Sequence, residues 1–122
     1  MTEQKSILIA EDEKAIAKAL QLKLEHEGYL VIVTNNGNEA LESMKHNRFN
    51  LAILDLMMPE LDGFGVLEEM KKTGDHTPTI VASNLSQDAD VEKAKSLGVT
   101  DYYVKSNTSL AQIVENIKKI IG

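Results

Sequence analysis

Short apolar runs alternate along the chain with longer segments in which apolar residues recur every three or four positions. The short runs are rich in Ile, Leu and Val, which favours strands that are buried on both faces. The longer segments have the period of amphipathic helices. Strands are predicted at 7–10, 29–33, 51–54, 79–82 and 100–104; helices are predicted at 14–26, from a turn at 35–37 to 45, from about 63 to 72, at 87–96 and at 110–121. The strict alternation of strands and helices predicts βαβ units, a parallel sheet and therefore an α/β fold.

One predicted helix, 87–96, is polar nearly all round. Ser86 precedes it as a candidate N-cap residue. Its apolar anchors are few, namely Ala89, Ala94 and Leu97. A helix with so narrow an apolar face is expected to be easily displaced.

Composition narrows the class of protein. With 122 residues the chain has the size of one domain, so a single domain over residues 1–122 is expected. It contains no cysteine, which excludes a disulfide framework and a thiolate zinc site and suits a reducing compartment. Its 19 acidic and 13 basic residues give a formal net charge of −6, which disfavours direct binding to nucleic acid or to an anionic membrane.

The hydropathy pattern gives no sign of a membrane protein. No apolar run approaches the roughly 20 residues that a membrane-spanning helix needs. The start, MTEQKS, leads straight into a strand-like run and does not resemble a signal peptide. A cytoplasmic protein without a membrane partner is therefore expected.

An acidic residue, Asp55, directly follows the apolar strand 51–54 in the stretch LAILDLMMPELDG. A buried carboxylate is costly without a partner, so its neighbours decide its role. In a parallel sheet the carboxyl ends of all strands lie along one edge, where ligands bind. The side chains that follow the other strands are Glu11, Asp12, Ser83 and Lys105. The sequence thus predicts that three carboxylates, a hydroxyl and an ammonium group meet at that edge.

Three neighbouring carboxylates repel one another unless a cation neutralises them. Mg²⁺ suits such a site, because it prefers hard oxygen ligands and retains positions for water and phosphoryl oxygens. The metal, the ammonium of Lys105 and the hydroxyl of Ser83 would together stabilise a transferring phosphoryl group, with Asp55 as the nucleophile. Each residue alone has an ordinary interpretation, as a turn-capping acid, an acid in a first helical turn or a surface residue. Their joint placement after different strands favours the site.

The motifs ILIAEDE, LAILDLMMPELDG, TIVASN and DYYVK occur in an order and at distances that resemble a response-regulator receiver domain of two-component signalling. The resemblance covers essentially the whole chain. It implies a flavodoxin-like (βα)5 three-layer sandwich with a parallel sheet in the order 2-1-3-4-5. It also implies a switch that accepts a phosphoryl group from the phosphohistidine of a histidine kinase or histidine phosphotransferase.

The resemblance implies a role for each site residue. Asp55 matches the phosphoacceptor, and Ser83 and Lys105 match the residues that contact the phosphoryl group. The implied ligands of Mg²⁺ are Asp12, Asp55, the backbone carbonyl of Met57 and, through water, Glu11. Tyr102 matches the aromatic residue that moves together with the hydroxyl of Ser83. Its neighbour Tyr103 is the rival, but strand alternation puts the two rings on opposite faces of the sheet.

The implied output is a change on the face formed by the fourth helix, the fifth strand and the fifth helix. A downstream target protein would sense that face, and the domain would be a monomer or a phosphorylation-dependent dimer. Catalysis would be limited to self-catalysed phosphorylation and dephosphorylation, without a metabolic substrate. The sequence stops after the last predicted helix, which leaves open both a stand-alone receiver and a piece of a longer protein.

Two alternative functions compete with this interpretation. The first is a receiver-like module that docks partners without phosphorylation; the complete set of site residues disfavours it. The second is a flavodoxin or an aspartyl-phosphate hydrolase on a similar sheet. The acidic stretch AEDEKA would repel a flavin phosphate, and Met57 stands where the hydrolases have a second Asp.

Several positions depart from the commonest pattern of the family. Ser106 replaces the usual Pro after the lysine, so a trans or strained Lys105–Ser106 peptide is predicted. Glu11 replaces the commoner Asp, and Asn84 replaces a small residue at the mouth of the site. Met57 and Leu85 occupy the two variable positions beside the attacking water. Since neither of these last two side chains can orient water by a good hydrogen bond, a long-lived phosphoryl state is predicted.

Overall fold

Five parallel strands form one sheet with helices on both faces in the computed structural model, which describes residues 4–122. Residues 1–3, where the sequence predicts no signal peptide, lie outside the described part. The elements are β1 Ser6–Ala10, α1 Lys14–His26, β2 Leu30–Thr34, α2 Gly37–His46, β3 Leu51–Leu54, α3 Gly63–Thr73, β4 Thr79–Ser83, α4 Asp88–Ser96, β5 Asp101–Val104, a 3₁₀ turn Lys105–Asn107 and α5 Leu110–Ile121. The sheet order β2-β1-β3-β4-β5 confirms the predicted fold. Within residues 4–122 no helix is both long and apolar enough to cross a bilayer.

Side-chain alternation along the strands creates two cores, one on each face of the sheet. The core beneath α1 and α5 includes Ile7, Ile9, Leu20, Leu24, Ile53, Ile113 and Ile117. The core on the opposite face, beneath α2, α3 and α4, includes Leu8, Ala10, Ala40, Leu54, Val66, Met70 and Ala94. The sheet is therefore the middle layer of three, which is why its central strand β3 is apolar throughout.

The register of the central strands brings the predicted acids together. Ala10 of β1 pairs with Leu54 of β3. The amide of the next residue, Asp55, donates to the carbonyl oxygen of Ala10 at 3.0 Å. Glu11 and Asp55 consequently leave the sheet side by side at its carboxyl edge.

Two glycines allow the loop between β3 and α3 to close against this edge. A Cβ atom on Gly63 would lie 2.5 Å from the carbonyl oxygen of Asp55. A Cβ atom on Gly37 would lie 2.2 Å from the carbonyl oxygen of Leu61. Both contacts are with backbone atoms that cannot rotate away. The glycine in the stretch LAILDLMMPELDG is thus required by the close approach of α3 to the strand that carries Asp55.

The polar helix α4 differs from its sequence-based description in two respects. Its N-cap is Gln87, without a side-chain cap, so the prediction of a Ser86 cap is wrong. Ala89 is exposed, and Ala94 is the buried residue of the helix. An additional anchor comes from outside the apolar pattern, because the Lys93 ammonium lies 4.5 Å from the centroid of the Phe64 ring on α3.

The last helix runs from the carboxyl edge of the sheet towards its amino edge. α5 begins after Ser109, whose hydroxyl oxygen accepts from the amide of Gln112 at 3.1 Å and caps the helix. At the other end, the Lys5 ammonium donates to the carbonyl oxygen of Ile121. α5 therefore starts near the carboxyl edge of the sheet and ends beside the segment that leads into β1.

Candidate functional site

Asp55 is buried, with 4% of its surface exposed, and both of its carboxylate oxygens have donors. Oδ1 accepts from the amide of Met57 at 3.1 Å. Oδ2 accepts from the ammonium of Lys105 at 3.0 Å. These partners offset the cost of burying a carboxylate at the end of an apolar strand.

Lys105 follows β5 and reaches across the edge of the sheet. Its Nζ lies 2.5 Å from Oε1 of Glu11, 3.0 Å from Oδ2 of Asp55 and 3.7 Å from Oε1 of Glu13. Burial acts to lower the pKa of Lys105, but the hydrogen bonds and charges of Glu11 and Asp55 outweigh it, so the pKa lies above its ordinary value. The lysine therefore remains an ammonium that joins loops from three strands.

Glu11 is buried beside Asp55, with 5% of its surface exposed. Its second oxygen, Oε2, accepts from the amide of Glu13 at 3.1 Å. Burial and the charge of Asp55 outweigh the hydrogen bonds from Lys105 and from that amide, and the pKa of Glu11 rises to about 7. The Glu11 carboxylate contacts the lysine directly.

An acidic cluster forms at the edge of the sheet, as the sequence predicts. Glu11, Asp12 and Asp55 each present a carboxylate oxygen, and these oxygens lie within 4.8 Å of one another. Asp12 is exposed, whereas the other two are buried. Hard oxygen donors at this spacing, open to water on one side, fit the coordination that Mg²⁺ prefers. The residue whose carbonyl is the implied fourth ligand, Met57, lies beside the cluster with a side chain that is 55% exposed.

Ser83 is fully buried at the end of β4, and its hydroxyl oxygen accepts from the amide of Leu85 at 3.3 Å. No hydrogen bond between described residues joins Ser83 to Asp55. Tyr102 donates its hydroxyl proton to the carbonyl oxygen of Leu85 at 2.6 Å. The two residues that the resemblance couples are thus connected through the backbone of Leu85.

The two adjacent tyrosines point to opposite faces of the sheet, as strand alternation predicts. Tyr102 packs against the core beneath α4, while Tyr103 belongs to the core beneath α1 and α5. Tyr103 donates to Oδ2 of Asp101 at 2.6 Å. Burial, together with this hydrogen bond, raises the pKa of Tyr103 to about 12, and burial also raises the pKa of Tyr102.

The structure shows the surroundings of residues that differ from the commonest family pattern. The Lys105–Ser106 peptide is trans, as predicted, because no peptide bond among the described residues is cis. This peptide lies within a 3₁₀ turn, Lys105–Asn107, which was not predicted from the sequence. Asn84 is exposed at the end of β4.

Two participants in the site were not predicted from the sequence. Glu13 belongs to the acidic stretch AEDEKA, and its carboxylate approaches the ammonium of Lys105 at 3.7 Å. Its position one residue after Asp12 was the available signal. The backbone of Leu85 connects Ser83 to Tyr102, a role that no side-chain pattern indicates.

Comparison with known proteins identifies the family. A model of the response regulator receiver domain matches residues 7–118. The chain belongs to this family. The receiver domain is 40% identical over 103 residues to the uncharacterized transcriptional regulatory protein YkoG of Bacillus subtilis, covering 84% of this chain and 45% of YkoG. It spans about half the length of the curated relatives that it matches.

Solved structures agree with this assignment. The Francisella response regulator 1452 receiver domain superposes with a TM-score of 0.89 at 30% identity, covering 97% of each chain. A DNA-binding response regulator of the LuxR family from Staphylococcus aureus gives 0.87 at 29% identity, covering 97% of this receiver domain and 99% of that chain. Relatives thus include proteins described as transcriptional or DNA-binding regulators, and the expected absence of a nucleic-acid partner is not confirmed.

Proposed function

We propose that Asp55 is the phosphoacceptor of this receiver domain. The observation that carries the proposal is a buried carboxylate that is hydrogen-bonded to Lys105 and lies beside the carboxylates of Glu11 and Asp12. The donor is the phosphohistidine of a histidine kinase or histidine phosphotransferase. The output is a signal to a downstream target protein.

The transfer forms one bond and breaks one bond. A carboxylate oxygen of Asp55 attacks phosphorus, and the phosphorus–nitrogen bond to the donor imidazole breaks with its electron pair remaining on nitrogen. Lys105 already contacts Oδ2 of Asp55, so its ammonium is available to neutralise charge on a phosphoryl oxygen. The amide of Met57 holds the other oxygen, Oδ1, and fixes the plane of the carboxylate.

Mg²⁺ is the proposed cofactor. Asp12 and Asp55, the carbonyl of Met57 and, through water, Glu11 would hold it. When bound, the ion neutralises the carboxylates and draws charge from the transferring phosphoryl group. The spacing of the three carboxylate oxygens supports this ligand set.

Ser83 and Tyr102 are the proposed switch residues. If the hydroxyl of Ser83 turns to a phosphoryl group on Asp55, it leaves the amide of Leu85. The same residue, Leu85, accepts the hydrogen bond from Tyr102, so the loop before α4 is coupled to β5. The few apolar anchors of α4 then allow two arrangements of the face formed by α4, β5 and α5.

The domain is proposed to catalyse only its own phosphorylation and dephosphorylation. It would act in the cytoplasm, as one domain over residues 1–122 and as a monomer or phosphorylation-dependent dimer. The absence of cysteine is compatible with a reducing compartment.

Intact mass measurement tests the proposal. The chain is incubated with Mg²⁺ and a small phosphodonor such as acetyl phosphate, with and without a chelator. A mass increase of one phosphoryl group is expected only with Mg²⁺, and Asp55→Asn should abolish it. Asp62→Asn is the matched control, because Asp62 caps α3 outside the acidic cluster. An unmodified chain under these conditions would favour the phosphorylation-independent docking module.

A further inference from the structure

We infer that a slot between α1 and α5 binds small aliphatic primary amines, and that the bound ammonium group antagonises Mg²⁺ at the acidic cluster. The first part depends only on the cavity and its charges. The second part rests on the proposed function, because it assigns regulation to the same cluster.

The slot is a cavity of about 330 Å³ on the face of the sheet covered by α1 and α5. This volume is at the lower end of the roughly 300–1,000 Å³ of small-molecule sites. Its walls come from both helices and the sheet and include Ile9, Ile53, Ile16, Leu20, Leu110 and Ile113. Four of these six side chains are almost fully buried, so an apolar tail would contact mainly the partly exposed side chains of Ile16 and Leu110.

The charged residues that line the slot are Glu11, Asp55 and Lys105, and its other polar lining residues are Thr108 and Ser109. The carboxylates there exceed the ammonium groups, because Lys105 also faces Glu13. Each oxygen of Glu11 and Asp55 has one donor, from Lys105 or from a backbone amide. A carboxylate oxygen has two acceptor sites, so each can accept a second hydrogen bond.

The aliphatic walls and the carboxylates of the slot together favour a primary amine as the ligand. A primary ammonium has three donors and a positive charge that offsets the excess of carboxylates. A carboxylate head would be repelled, and a hydroxyl head would leave the excess charge in place. The tail adds roughly fourfold in affinity for each buried methylene until the slot is filled.

Competition with Mg²⁺ follows from the shared oxygens. Glu11 and Asp55 border the slot and also belong to the acidic cluster. An ammonium group among these oxygens reduces the negative charge that attracts the divalent ion. Bound amine should therefore raise the apparent Kd for Mg²⁺, and the increase should grow with the amine concentration.

Binding is tested without Mg²⁺ or phosphodonor, by following isoleucine methyl signals by NMR as hexylamine, hexanoate or 1-hexanol is added. Hexylamine should shift the methyl signals of Ile16, Ile53 and Ile113, and butylamine, which is shorter by two methylenes, should bind roughly fifteenfold more weakly. Equal binding of hexanoate, or shifts that do not centre on these residues, would overturn the slot as an amine site.

Two phenylalanine substitutions on α1 separate the slot from the surface. Ile16→Phe fills the slot and should weaken hexylamine binding at least tenfold. Leu22→Phe lies on the same helix at a residue that is 54% exposed and should leave binding unchanged. Leu110→Phe fills the slot from α5 and serves as the blocking variant if thermal melting shows that Ile16→Phe is unfolded.

A second titration tests the regulatory part. Mg²⁺ binding is measured by calorimetry with and without saturating hexylamine, and the apparent Kd should rise at least threefold. If hexylamine binds in the slot but the Kd stays constant, regulation is overturned and Asp55 remains the proposed phosphoacceptor. If hexylamine weakens Mg²⁺ binding but the chain is never phosphorylated, the proposed function fails and the slot assignment stands.

Discussion

Lys105 shows how a single residue can satisfy several opposing charges at once. Its ammonium contacts carboxylates from the segments that follow β1 and β3. The order of strands predicts that Lys105, Glu11 and Asp55 meet at one edge. The contact with Glu13 was not predictable in the same way, because it depends on the torsion angles of two long side chains.

The side chains of Met57 and Leu85 bear on the lifetime of the proposed phosphoryl state. Neither offers a good hydrogen bond to an attacking water. A Met57→Asn, Leu85→Glu variant should lose the phosphoryl group roughly tenfold faster than the unmodified sequence. This factor is smaller than the rate enhancement of about 10²-fold or more that a positioned general base gives. The phosphorylated fraction is followed by intact mass after removal of the donor.

A double variant away from the cluster, Met44→Asn, Leu22→Glu, controls for changed stability. It should hydrolyse at the rate of the unmodified sequence. Faster hydrolysis in the unmodified sequence than in the Met57→Asn, Leu85→Glu variant would contradict the predicted long lifetime.

Tyr103 gives a prediction for alkaline pH. Burial and the hydrogen bond to Asp101 raise its pKa from 10.0 to about 12. Because the folded-state pKa is the higher one, this group's contribution to stability is complete below pH 10 and is lost as the pH rises through 12. Tyrosinate absorbance is unobscured in a chain without Trp, and Tyr103→Phe should remove the titration step of highest pKa. Persistence of that step in Tyr103→Phe would refute the assignment, and Tyr29→Phe is the control.

Element boundaries were predictable where local signals and tertiary packing agree. Helix α1, Lys14–His26, and strand β3, Leu51–Leu54, have the bounds that the sequence predicts. Strand β2 begins at Leu30 instead of Tyr29, because the amide of Tyr29 bonds to the carbonyl oxygen of Leu24 and closes the end of α1. Apolarity alone does not distinguish a strand residue from a buried turn residue.

The start of α3 provides a test of close backbone packing. Gly63→Ala should lower the free energy of unfolding by about 1–3 kcal/mol, because the added Cβ would overlap backbone atoms of Asp55 and Leu56. Urea denaturation measures this change.

Gly65→Ala is the matched control in the same helix. Its Cβ would meet mainly Cδ1 of Leu61, the movable end of a side chain, and alanine favours a helix by about 1 kcal/mol. Its stability should change little or increase. Equal losses in the two variants would mean that the backbone contact at Gly63 is not the cause.

The topology of the whole domain was accessible from sequence, but the network at its functional edge was only partly so. Strict alternation predicts a parallel sheet, and its order was implied by the resemblance and confirmed. The link from Ser83 to Tyr102 runs through the backbone of Leu85, which belongs to a loop without periodicity. Backbone partners in such loops are set by tertiary structure, so residue types do not reveal them.

Metal binding should be visible in the stability of the entire domain. At a Mg²⁺ concentration of roughly 100 times Kd, binding to the folded state alone stabilises it by about 2.7 kcal/mol. Thermal unfolding should therefore show a higher Tm with Mg²⁺, reversed by a chelator, and a smaller increase in Asp12→Asn. An equal increase from NaCl of matched ionic strength would attribute the effect to screening instead of to the site.

The contact between Lys5 and the carbonyl of Ile121 fixes where a longer polypeptide, such as the curated relatives, would leave this domain. Helix α5 has 12 residues and is about 18 Å long, so a polypeptide continuing beyond Gly122 would emerge at the base of the domain, remote from Asp55. A tethered neighbour there would not touch the aspartyl group and would respond to chemistry at that group only through displacement of the intervening helices.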